Sequence, residues 1–137
     1  MNNSTIRVGV VGVGRGKSFA ESAGKLTGMK LVAVCDIWEE RLKQLASEYS
    51  VVAYTDYDQF LSHDMDAIIL ANYFNEHAPF AIKALRSGKH VMSETSSNAT
   101  IGEGVALCRT VEETGLIYML AENYPYTVFT AIITAFV

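Results

Sequence analysis

Cysteine is scarce. Cys35 and Cys108 are the only two in 137 residues. They lack the paired spacing of a zinc site, so no metal centre is expected. Thiols without a disulfide framework fit a reducing compartment, and the expected location is the cytoplasm. Basic charge is also short, since 11 Lys and Arg against 15 Asp and Glu leave a net charge of −4. Without a basic block, nucleic acid is not an expected partner. No apolar run approaches the roughly 20 residues of a membrane span. The start, Met1-Asn2-Asn3-Ser4-Thr5, has no basic-then-apolar signal pattern. Internal repeats and low-complexity linkers are missing too. What remains has the make-up of a folded domain, 50% hydrophobic and 19% charged, with enough length for one core.

The most informative stretch runs from Ile6 to Asp36. Ile6-Arg7-Val8-Gly9-Val10-Val11 reads as a strand, and Gly12-Val13-Gly14-Arg15-Gly16-Lys17 as a glycine turn. An amphipathic helix and a second strand, Met29 to Cys35, follow, with Asp36 at that strand's end. A dinucleotide requires this order. Gly12 permits the tight turn, Gly14 lets backbone approach a pyrophosphate, and the helix start offers N–H groups and a positive dipole end. Asp36, 24 residues after Gly12, is placed to accept hydrogen bonds from the adenosine ribose, to cap the next helix, or both. A ribose carboxylate repels a 2′-phosphate, and Ile37 and Trp38 follow it rather than an arginine. NAD is therefore expected over NADP. The sixth position of the glycine motif, where a small residue usually packs helix on strand, is Lys17. Gly16 is the substitute for that packing role. Arg15 then points at the phosphates, unless it and Lys17 are solvated loop charges.

The rest of the chain alternates. The first helix is expected from Gly16 or Lys17 to Leu26, with Phe19, Ala20, Ala23 and Leu26 on one face. Asp36 with Glu39 suggests a capping box for a second helix carrying Leu42, Leu45, Ala46 and Tyr49. Val51 to Tyr54 reads as a short strand and Asp56 to Leu61 as a helical turn. The wholly apolar Ala67-Ile68-Ile69-Leu70 suits a central parallel strand covered on both faces. A helix over Glu76–Ser87 tolerates Pro79 in its first turn. His90 to Ser93 is a fifth strand, Thr100 and Glu103 form a capping box, and a helix follows to Thr114, closed by Gly115. Leu116 to Ala121 is a sixth strand, and Met92 and Met119 are read as core. The fold class expected is α/β, a doubly wound parallel sheet of the Rossmann type in a single domain.

Taken together, these residues resemble the N-terminal domain of the Gfo/Idh/MocA oxidoreductases, named for glucose–fructose oxidoreductase and inositol dehydrogenase. The resemblance covers about Ile6 to Tyr126. It is carried by Val10-Val11-Gly12-Val13-Gly14, Leu31-Val32-Ala33-Val34-Cys35-Asp36 and Ala71-Asn72-Tyr73 with His77. Ala84-Leu85-Arg86-Ser87-Gly88-Lys89-His90-Val91-Met92-Ser93-Glu94 is its most specific mark, and Tyr118 to Tyr124 follows. The resemblance implies NAD(P)-dependent hydride transfer on a sugar, a polyol or a similar metabolite. It also implies a homo-oligomer and a second α/β domain carrying much of the substrate pocket. On that reading residues 1–126 are the dinucleotide-binding domain and the C-terminal domain is absent. Residues 127–137, uncharged and apolar, are a truncated start of it or a replacement. An isolated fragment of this kind is expected to be inactive.

Two positions depart from the family's pattern. Its usual Glu-Lys-Pro after the fifth strand is here Glu94-Thr95-Ser96, and Thr95 has no ammonium to give. Its usual Thr-Pro after the fourth strand is Asn72-Tyr73, where Tyr73 can still pack on a nicotinamide ring. Some relatives are NAD-dependent glycoside hydrolases that oxidise the sugar transiently, and the missing lysine fits that alternative. A dinucleotide-binding protein without turnover is the third reading. The expected cofactor-binding residues are Gly12, Gly14, Arg15, Gly16, Asp36, Ile37, Ala71, Asn72, Tyr73, His77, Glu94, Thr95 and Asn123. His77, Glu94 and Thr95 each have a structural alternative as a buried histidine, a loop acid and a local cap. The sequence identifies no catalytic residue, since Thr95 occupies the position of the family's lysine.

Overall fold

The computed structural model describes residues 5–122. Asn123, Tyr126 and the 127–137 stretch lie outside the described residues, and so do the expectations placed on them. The chain forms β1 (Ile6–Val11), α1 (Gly16–Lys25), β2 (Met29–Cys35), α2 (Glu39–Tyr49), β3 (Val52–Tyr54) and α3 (Tyr57–Leu61). Then come β4 (Ala67–Leu70), a 3-10 turn (Phe74–Glu76), α4 (His77–Arg86), β5 (His90–Glu94), α5 (Ile101–Thr114) and β6 (Tyr118–Ala121). The strands pair in the order β3-β2-β1-β4-β5-β6, and every pairing is parallel. This is the doubly wound sheet expected. Its order reverses between β1 and β4, and such a reversal opens a crevice at the strands' carboxyl ends.

Alternation splits the core into two layers. An irregularity in β2, where the partner of Val8 is Leu31 and that of Gly9 is Ala33, brings Leu31 and Val34 to one face. Val8 and Val10 of β1, Leu31 and Val34 of β2 and Ile69 of β4 face α1 and α2, where Ala20, Ala23, Leu42, Leu45 and Ala46 meet them. Val11, Ile68, Leu70 and Val91 face the other way, onto Phe60, Ala81, Ala84, Leu85 and Leu107. Three of the four β4 residues are buried, as an uninterrupted apolar run requires of a strand with helices on both sides. The α5 start is capped as its sequence predicts. Thr100 Oγ1 accepts from the Glu103 N–H at 3.2 Å, and Glu103 accepts from the Thr100 N–H at 2.9 Å.

Three packing expectations fail. Leu26 is 56% exposed because it is the residue at which α1 ends, with extended backbone (φ −74°, ψ 131°); helical spacing no longer governs where it points. Met119 is 51% exposed because β6 is the edge strand, paired on one side only among the described residues. Asp36 does not cap α2. That helix starts three residues later with Trp38 as its N-cap, and the carboxylate is used elsewhere.

Candidate functional site

The turn after β1 is built by three glycines with three different jobs. Gly12 has φ +91°, and a Cβ there would lie 2.4 Å from the Ala71 carbonyl oxygen. The turn is thereby pressed against the end of β4, and only glycine fits. Gly16, the first residue of α1, would place a Cβ 2.8 Å from Val10 Cγ1. It does the close helix–strand packing that Lys17, one position later, is too large to do. Lys17 instead lies exposed, 3.6 Å from Glu48. A Cβ at Gly14 would meet nothing within 4 Å. The space beside that residue is open.

The start of α1 follows directly on that open position, with Arg15 as its N-cap. It has no side-chain cap and no acid in its first turn, so its N–H groups and positive dipole end are free to hold an anion. A pyrophosphate fits here on two grounds visible in the chain, the open cradle at Gly14 and the uncapped helix start.

Asp36 holds the turn from the side. Its Oδ2 accepts the Val13 N–H at 2.6 Å and its Oδ1 accepts the Trp38 N–H at 2.8 Å. Each oxygen keeps acceptor capacity, and the residue is half-buried at the end of β2. Ile37 is 83% exposed beside it. Arg41, the nearest cation along the chain, lies over the Trp38 ring with 5.3 Å to the centroid. A groove of about 400 Å³ between α1 and α2 is lined by Val13, Lys17, Trp38, Arg41, Gln44 and Glu48, among others. It flanks the turn rather than opening onto the carboxyl ends of β4 and β5.

Arg15, read either as a phosphate contact or as a solvated loop charge, is paired with an acid from β5. Its Nε donates to Glu94 Oε1 at 2.9 Å, and Glu94 is the less exposed partner. Glu94 ends β5, and β4 lies between β5 and β1, so the ion pair spans the crevice where the strand order reverses. Thr95, exposed, sits 3.4 Å from Glu94 Oε2 through its hydroxyl. Beyond β4, Ala71 is buried and donates its N–H to the Val11 carbonyl at 2.8 Å. Asn72 donates Nδ2–H to Glu76 at 3.2 Å, and its Oδ1 is buried with no partner among the described residues. Tyr73 is 74% exposed, open to a planar ligand.

His77 departs from its expected part. It is 1% exposed, and both ring nitrogens face backbone carbonyls, Nδ1 to Ser96 at 2.6 Å and Nε2 to Asn72 at 3.2 Å. It takes the structural alternative, a buried histidine set against the backbone of two loops. The carboxyl ends of the strands thus bring together Gly12, Gly14, Arg15, Ala71, Asn72, Tyr73, Glu94 and Thr95, with Asp36 and Ile37 beside them. The sequence reading missed the Arg15–Glu94 pair. Its members are 79 residues apart, and no local spacing signals it. Among the described residues no group of His, Cys, Asp and Glu is placed to hold a metal.

Residues 6–122 match the model of the Gfo/Idh/MocA group, described as an oxidoreductase family with an NAD-binding Rossmann fold. The chain belongs to this family. Among relatives, a glycosyl hydrolase family 109 protein of Shewanella sp. (strain ANA-3) is 35% identical over 133 residues. An alpha-N-acetylgalactosaminidase of Shewanella oneidensis is 34% identical over the same length. Each match takes in 88% of this chain, which spans only 29% of the relative. Among solved structures, scyllo-inositol dehydrogenase from Lactobacillus casei with bound NAD(H) and scyllo-inositol superposes with a TM-score of 0.86 at 28% identity. That match covers 91% of this chain and 38% of the dehydrogenase. As a Gfo/Idh/MocA chain, it carries the family's NAD-binding domain. No helix among the described residues is long and apolar enough to cross a membrane.

Proposed function

We propose that residues 6–122 are the cofactor-binding part of an NAD-dependent enzyme acting on a sugar, a polyol or a similar metabolite. The observation that carries this is the open cradle beside Gly14 directly before an uncapped helix start, with Asp36 fixed at its edge. The helix start holds the pyrophosphate by backbone N–H groups. Asp36, already oriented by Val13 and Trp38, accepts from the ribose hydroxyls and selects NAD over NADP by charge. Tyr73 and Thr95 border the nicotinamide end. When bound, the dinucleotide supplies a hydride acceptor or donor; the substrate is held against it by residues beyond this domain. Calorimetric titration of the chain with NAD, NADP and AMP tests the reading. Tight NAD binding with weaker NADP supports it, and absence of NAD and AMP binding refutes it.

A second reading has its own support. Thr95 stands where dehydrogenases of the family carry lysine, so no ammonium is available there to polarise an alkoxide. The two relatives above are named for glycoside hydrolysis rather than for oxidation. In an enzyme of that kind no net reduction of NAD accumulates. A protein carrying this domain, given nitrophenyl glycosides and free sugars, separates the two. Phenol release at constant absorbance of the reduced cofactor favours the hydrolase, and stoichiometric NADH with free sugars favours the dehydrogenase.

A further inference from the structure

We propose that His77 is a positioning residue that sets the loop after β5 against the loop after β4, through one hydrogen bond from Nδ1 to the Ser96 carbonyl. The inference rests on the reading of this crevice as a dinucleotide site. His77 opens α4, is 1% exposed and touches both loops at once, Ser96 at 2.6 Å and Asn72 at 3.2 Å. Both of its partners are carbonyl oxygens, which only accept. An imidazole carrying one N–H satisfies one contact and turns a lone pair toward the other. The shorter contact takes the proton. Nδ1–H therefore belongs to Ser96, and Nε2 lies against Asn72 without a bond.

The other ties of this loop run toward α5, from Asn98 Nδ2 to the Thr100 carbonyl at 3.0 Å and from the Ala99 N–H to Glu103 at 2.9 Å. Among the turn and loop backbone hydrogen bonds of the described residues, none involves residues 96–98. Thr95 is adjacent to the tied carbonyl, and Glu94 precedes it as the anchor of Arg15. On the other side, Asn72 and Tyr73 sit at the β4 end. The ring, carried on the first residue of α4 just after the β4 loop, thus holds the β5 loop at Ser96 beside the nicotinamide half of the crevice. The adenosine half is fixed separately, by Asp36 on Val13. Disturbing His77 must then weaken ligands that reach the β4 and β5 ends and spare those that stop at β2.

The test uses three variants of the full chain. In His77→Asn the amide nitrogen stands near the position of Nδ1, in His77→Gln it stands near Nε2, and His77→Phe fills the space with no donor. Titration with NAD and with AMP, alongside thermal unfolding, reads the outcome. The expected result is NAD affinity within a few-fold of the parent for His77→Asn, and a loss of roughly tenfold for His77→Gln and His77→Phe, the scale of one buried hydrogen bond. AMP affinity should be unchanged in all three. Parallel loss of NAD and AMP would show a merely structural histidine. Better retention in His77→Gln than in His77→Asn would assign the working bond to Nε2 and overturn the proposal. If the variants do not fold, ¹⁵N spectra of the parent ring decide it, since an Nε2–H tautomer is incompatible with the bond to Ser96. Failure of the parent to bind either ligand removes the dinucleotide reading itself, a different result from the loss of NAD alone.

Discussion

Asp36 accepts the backbone N–H of Val13 at 2.6 Å, so the acid that ends β2 also closes the glycine turn that ends β1. Binding and stability are therefore joined at one carboxylate. Asp36→Ala leaves the Val13 N–H without its charged acceptor, and a loss of about 1–3 kcal/mol in folding stability is expected. The same variant should lose its preference for NAD over NADP. Urea denaturation and paired titrations check both effects. Full stability with unchanged discrimination would show that the carboxylate serves neither purpose.

The three turn glycines should separate cleanly under substitution. Gly12→Ala forces a Cβ within 2.4 Å of the Ala71 oxygen at φ +91° and is expected to be the most damaging. Gly16→Ala brings a methyl 2.8 Å from Val10 Cγ1 and should cost about 1–3 kcal/mol as overpacking. Gly14→Ala meets nothing, so its stability should stay within about 0.5 kcal/mol of the parent. Gly14→Val should keep the fold and abolish NAD binding, because its branched side chain enters the space beside the helix start. Melting temperatures and titrations on this set give the answer; NAD affinity unmoved by Gly14→Val would place the phosphates elsewhere.

Acid should find one weak point at Asp66. Hydrogen bonds from the Arg7 guanidinium, and then from its backbone N–H, hold this carboxyl at about 2, below its ordinary 3.8. A carboxyl depressed in the folded state contributes stability above its unfolded value and loses it as pH falls toward the folded one. The loss lies between about pH 4 and pH 2. Asp66→Asn should flatten the fall of the urea midpoint across that window. The group is 40% exposed on its side chain, so the effect should be modest. An identical slope in the variant would contradict the assignment.

Thiol chemistry should distinguish the two cysteines. Cys108 is exposed and Cys35 is buried. Burial, with lesser help from the charges of Asp36 and Asp56, pushes the Cys35 thiol up to about 12, and a thiol without thiolate character is inert. One equivalent of a chromogenic disulfide should react quickly with the native chain near pH 8, and the second only after unfolding. Two fast equivalents would mean that β2 opens readily.

Periodicity carried most of the architecture. The run Ala67–Leu70 announced a strand covered on both faces, and Thr100 with Glu103 announced the start of α5, because both signals are complete within a few residues. Leu26 and the supposed Asp36–Glu39 box misled because each requires knowing where a helix ends or begins, and a single residue decides that. In the crevice, Gly12 and Gly16 could be assigned their work from order alone. The partnership of Arg15 with Glu94 and the grip of His77 on Ser96 could not. Both join segments that become neighbours only after β4 and β5 have paired.

At the other pole of the sheet, Arg7 forks onto Asp66, 2.7 Å from Nη2 to Oδ1, and also reaches Asp64. The start of β1 is thereby riveted to the segment that leads into β4, on the side away from the crevice. Register between the two central strands is thus pinned at the amino ends as well as at the carboxyl ends, where the Ala71 N–H donates to the Val11 carbonyl at 2.8 Å. Tyr73 and Thr95, farther out on the loops, take no part in the pairing of β1 with β4. Substitutions at those two positions should therefore leave the strands beneath in alignment. A chain built this way can change its chemistry at one pole without renegotiating its fold at the other.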